Sequence, residues 1–108
     1  REVYVAPVVK NYIVELARHT REQAEVYLGA SPRGSLALHR ASQARAAILG
    51  RDFVLPDDVQ ALAHACLAHR IILGPAARLQ DISADGIVDE LLQKVEVPGA
   101  DLHFNAPK

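Results

Sequence analysis

The chain is predicted to be all-α: a four-helix bundle with at most a minimal strand pair. Three observations carry this. Apolar residues recur at helical spacing almost throughout. Glycine, proline and serine punctuate those stretches where helices start and stop. The longest extended stretch, Arg51-Asp52-Phe53-Val54-Leu55-Pro56, has room only for a connector or a single ladder pair.

The first helix is expected from about Ala6 to Arg21, with Val9, Tyr12, Ile13 and Leu16 on one face and Ala17 and Thr20 beside them. Arg21 to Glu25 contains no helix breaker, so continuation toward Tyr27 stays open until Gly29. The second helix begins at Ser31-Pro32, with Ser31 as cap and Pro32 at the first helical position. Its expected packing face is Ala37, Ala41, Ala44 and Ile48, and Gly50 ends it. The third helix starts at Pro56-Asp57-Asp58, where two acids suit the macrodipole. Val59, Leu62, Ala63, Cys66 and Leu67 form its stripe. Gly74-Pro75 breaks the chain, and Leu79 to Ile82 is expected as loop. The fourth helix is capped by Ser83 and carries Ile87, Val88, Leu91, Leu92 and Val95. Residues 1–97 are expected as one domain and 98–108 as a tail.

Length and composition limit the functions available. The 108 residues support one domain, and 50% apolar with 23% charged residues is a core-forming composition. Apolar runs of a few residues exclude a membrane-spanning helix, and no signal-peptide pattern opens the chain. A lone cysteine, Cys66, excludes an internal disulfide and a multi-thiolate metal site, and fits a reducing cytoplasm. There is no methionine, and Arg1 does not favour removal of an initiator, so the chain is expected to be a piece of something longer.

The net charge of −1 divides unevenly: residues 1–51 carry +4 and residues 52–108 carry −5. That basic excess is small for a nucleic-acid surface; it reads either as a solvated face with local pairs or as a first half that faces an anion or an acidic neighbour. Catalytic motifs are missing, including a phosphate loop, a nucleophile elbow and a His-Glu-x-x-His pair. His19, His39, His64, His69 and His103 show no compact ligand spacing, so no metal site is expected. Cys66 lies on an apolar stripe and is expected in the core.

One local rule is broken. Gly29-Ala30-Ser31-Pro32-Arg33-Gly34 puts Arg33 at the second helical position, where a cation opposes the macrodipole at a cost of about 0.3 kcal/mol or more. An anion there would reverse the sign, because first-turn amides and the guanidinium would converge on it. An exposed arginine screened by salt, or paired with a carboxylate, is the other reading. Arg40, seven residues on, would extend the basic edge.

Val8 through Ile72 resembles the C-terminal helical lid of MoxR-type AAA+ ATPases. The matching residues are Tyr12-Ile13-Val14-Glu15-Leu16 with Thr20-Arg21, Leu28-Gly29-Ala30-Ser31-Pro32-Arg33, Arg51 through Val59, and His69-Arg70-Ile71. The Gly-Ala-Ser-Pro-Arg stretch is the most specific. The resemblance implies that Arg33 is a sensor-2 arginine reaching the γ-phosphate of ATP on a neighbouring core domain, with Ser31 and Pro32 beside the nucleotide. It implies ATP and Mg in the full-length parent and none tightly bound to this chain. It also implies an upstream AAA+ core domain, neighbouring subunits of a hexameric ring, and a possible von Willebrand A domain partner in chaperone-like maturation of a client. Arg21, His69 and Arg70 match family positions expected to be structural. Leu55 departs from the family, which often has a capping hydroxyl there, so the cap is lost or another group supplies it. The absent methionine would then mark a cut near the junction of core and lid. A histone-like dimerisation or nucleic-acid module is the alternative, and it would need more cationic charge.

Overall fold

The computed structural model describes residues 3–22, 32–98 and the backbone of 26–28, with the Arg78 side chain outside that description. Ser31 and Gly29 lie outside the described residues, as does the expected tail after Pro98.

The four expected helices all form. Helix α1 spans Pro7–Arg21 and buries Val9, Tyr12, Ile13, Leu16, Ala17 and Thr20, the face anticipated from spacing. Basic residues Arg18, His19 and Arg21 occupy its last turn, where the macrodipole favours them. The helix does not run on to Tyr27. It stops at Arg21, and Val26–Leu28 forms strand β1. β-Branched and aromatic residues suit an extended conformation once a partner is present. Strand β2, Ile72–Leu73, supplies it in an antiparallel pair with Val26 opposite Leu73 and Leu28 opposite Ile72.

Helix α2 spans Pro32–Ile48. Its buried face is Gly34, Leu38, Ser42 and Ala46, which corrects the expected face of Ala37, Ala41, Ala44 and Ile48. Ile48 is 84% exposed and Leu38 is 0% exposed. Small side chains contribute little apolar area, so the mid-helix Leu38 outweighs several alanines in setting the rotation. Gly50 ends the helix at φ 83°, its N–H reaching Ala47 O at 3.0 Å while Arg51 N–H reaches Ala46 O at 2.8 Å. That bond pattern leaves the glycine in the left-handed region.

The connector makes its single ladder pair, a parallel bridge between Tyr4 and Phe53. Tyr4 N–H donates to Asp52 O at 2.8 Å and Val54 N–H to Tyr4 O at 2.9 Å. Helix α3, Pro56–Leu67, buries Val59, Ala63 and Leu67, with Leu62 and Cys66 packed at the edge of the core. A 3₁₀ turn, Ala68–Arg70, leads to β2.

A five-residue helix, α4 at Pro75–Leu79, adds to the expected set. Gly74-Pro75 reads as a break in the sequence, but proline also starts helices, and here Ala77 is buried. Helix α5, Ala84–Lys94, starts as anticipated: Ser83 Oγ accepts from Gly86 N–H at 3.0 Å. Its Ile87, Val88 and Leu91 join Leu16, Leu38, Val59 and Leu67 in the core. No helix among the described residues is long and apolar enough to cross a membrane.

Candidate functional site

Pro32 is the first residue of α2 and Arg33 the second, as the sequence requires. Both side chains are exposed. The first turn of α2 contains no acidic residue. A helix start leaves several backbone N–H groups without intrahelical acceptors, so Arg33 adds a full charge where the backbone is already partly positive. The arrangement suits a phosphate oxygen. Ser31, the third residue expected at this site, lies outside the described residues. Arg40 is also exposed on α2.

The acid-rich start of α3 forms a second cluster. Asp58 is fully buried. Arg51 grips it with a fork, Nη1 to Oδ2 at 2.7 Å and Nη2 to Oδ1 at 2.8 Å. Arg45, from α2, donates to Oδ1 at 2.6 Å, and Leu55 N–H donates to Oδ2 at 2.8 Å. The Arg51 bonds are the largest cause holding the carboxyl at about 2, below its ordinary 3.8. The Leu55 amide and Arg45 add to this, against the opposing effect of burial. Arg51 also lies over the Phe53 ring, 5.8 Å from its centre.

The acid three positions into α3 therefore answers the Leu55 departure. Leu55 has no capping oxygen, and Asp58 supplies the half of a capping box that binds the backbone N–H of the residue before the helix. Sequence reasoning treats Asp57 and Asp58 as an equivalent dipole pair and misses this junction. The available signal is an acid at the third helical position, with Arg51 seven residues before it.

The remaining titratable groups have structural surroundings. Arg70 Nη1 donates to Cys66 O at 2.7 Å, a bond at the end of α3. His64 Nε2 meets Asp89 Oδ1 at 2.7 Å, linking α3 to α5. Burial, with Lys10 and Arg40 nearby, lowers the His39 pKa. Burial raises that of Cys66, against the lowering effect of Arg70. No group of three or more potential metal ligands occurs among the described residues. An open cleft of about 390 Å³ has walls from α1 and the end of α5, including Tyr12, Glu15, His19 and Lys94. It is not built from the start of α2.

Pro32 and Arg33 thus stand at an exposed helix start. A model of the AAA lid domain matches residues 18–91, from the last turns of α1 into α5. The chain belongs to this family. The lid is 49% identical over 90 residues to the Bacillus subtilis protein YeaC, covering 83% of this chain. It is 32% identical over 104 residues to the chaperone MoxR1 of Mycobacterium tuberculosis, covering 88% of this chain. A crystal structure of a candidate ATPase from Cytophaga hutchinsonii superposes with a TM-score of 0.85 at 34% identity over 89% of the lid. These matches make it a lid of the MoxR type. The lid spans 28% of YeaC and of MoxR1, and 32% of the Cytophaga chain.

Proposed function

We propose that this lid closes over ATP held by an α/β core domain upstream of it, with Arg33 as the sensor-2 arginine on the γ-phosphate. The observation that carries the reading is Arg33 at the second position of α2, in a first turn without acids. Charge on the equatorial oxygens of a transferring phosphoryl group is stabilised by fixed cations and amides, and Arg33 with the α2 start supplies both. In this reading Ser31, Pro32 and Arg33 would be the residues next to the nucleotide. The metal ligands, phosphate loop and arginine finger would come from the core domain. ATP and Mg are cofactors of that larger assembly. One arginine and one helix start fit a phosphate.

An arginine on a helix also couples lid angle to the presence of the γ-phosphate, a rigid-body switch. In the parent ATPase this would drive ring-shaped, hexameric assemblies that remodel or mature a client, with a von Willebrand A domain protein as the partner class, in the cytoplasm. A MoxR relative described as a chaperone supports that direction. The lid family match favours this reading over the histone-like alternative. A duplex-binding titration in salt checks the alternative: no steep salt dependence is expected.

The deciding test is Arg33→Ala in the full-length ATPase. ATP hydrolysis is expected to fall at least about tenfold, on the scale of losing one preorganised donor to developing charge. The melting temperature should stay parental, because the side chain is exposed. A parental hydrolysis rate overturns the sensor role.

A further inference from the structure

We infer that the Arg45–Asp58 ion pair is a positioning device for Arg33, setting where α2 sits along α3. The inference rests on the sensor reading of Arg33 and extends it to residues far from the phosphate.

Arg33 and Arg45 share one continuous helix. Seventeen helical residues form a rod of roughly 25 Å that moves as one body. A shift of α2 at its C-terminal end therefore appears at its N-terminal end, where Arg33 sits. What fixes the rod is then the question.

The buried face of α2 is Gly34, Leu38, Ser42 and Ala46, with Leu38 the one large apolar side chain. Small residues let a neighbouring helix approach closely, and α3 is the principal neighbour of α2. A face with one large side chain marks a register by shape at one position, and a directional determinant adds to it.

Directional bonds supply it at the C-terminal half of α2. Arg45 Nη1 lies 2.6 Å from Asp58 Oδ1, and Asp58 is itself immobilised by the Arg51 fork and the Leu55 amide. Gln43 Nε2 adds a bond to Val3 O at 2.8 Å, tying the same half of α2 to the N-terminal segment. A buried, fully bonded carboxylate tolerates little displacement of its partners, because an unpaired charge in that place is strongly unfavourable. Arg45 thus anchors α2 to the start of α3, and Arg33 projects from the far end.

The test is a double-mutant cycle in the full-length ATPase. Arg45→Gln removes the link from α2 and leaves the Arg51 and Leu55 bonds to Asp58 in place. Arg45→Ala removes the same link together with the rest of the side chain, and is measured the same way. With Arg33 present, either change should lower kcat by about tenfold, the scale for a small misplacement of a positioned group. In an Arg33→Ala background the same changes should leave the residual kcat within about a factor of two, since coupled sites are not additive. Melting temperature should fall equally in both backgrounds. Equal fold losses in kcat with and without Arg33 mean plain destabilisation and overturn the inference alone. Unchanged kcat with Arg33 present overturns it as well. A parental rate in Arg33→Ala by itself overturns the sensor reading and this inference together.

Discussion

Asp58 has the most constrained surroundings of any ionisable side chain described. It is buried, shared by Arg45 and Arg51, and bonded to the Leu55 amide. Its carboxyl is lowered from 3.8 to about 2, chiefly by Arg51. A depressed carboxyl stabilises the fold fully above its unfolded pKa, and that contribution disappears as pH falls through the folded value. The window is thus from about pH 4 down to pH 2. Urea unfolding across that window should show a loss of about 2 kcal/mol attributable to this residue, because each tenfold change in proton affinity is worth about 1.36 kcal/mol. Asp58→Asn should remove that component of the acid slope. An unchanged slope in the variant would mean that the pairing contributes no stability. Arg33 is the opposite kind of residue, exposed and placed by its helix.

Helices in this lid start by different devices. Helix α5 has a serine cap, α1 has Pro7 without a side-chain cap, and α3 borrows Asp58. Leu55 before α3 is in extended geometry, φ −102° and ψ 154°, which a capping serine adopts readily. Leu55 is 36% exposed, so most of it is buried. Leu55→Ser should therefore destabilise the chain by about 0.5 kcal/mol, because a new cap worth about 1 kcal/mol only partly offsets the lost apolar area. Equilibrium unfolding measures the sign. Helix starts are largely legible in the sequence because caps and prolines act within a few residues. Helix rotation is less so. Counting alanines on α2 selects Ala37, Ala41, Ala44 and Ile48, whereas Leu38 and the reach of Arg45 to Asp58 set the observed face. The end of α1 is hidden for a similar reason: β1 exists because β2 pairs with it from far along the chain.

At the scale of the molecule, the basic first half and acidic second half are joined rather than opposed. Arg45 and Arg51 come from the +4 portion and meet Asp58 from the −5 portion. Part of the apparent basic excess is thus neutralised inside the fold, which weakens any case for a nucleic-acid surface. The lid covers only about a third of its relatives' lengths. On the proposed reading, one arginine and one helix start are only part of a phosphate site, so calorimetry on the 108-residue chain should find ATP binding weak or undetectable. Sub-micromolar affinity would contradict the division of labour between lid and core.

The helical class, the helix starts and the position of Arg33 are available from the order of residues, because periodicity, capping and the macrodipole act over single turns. The Gly-Ala-Ser-Pro-Arg stretch also points to the family without any coordinate. The rotation of α2, the strand pair, the short helix after Gly74 and the burial of Asp58 depend on partners distant in sequence. Packing area and charge pairing between elements are properties of their arrangement in space, and a local pattern does not contain them.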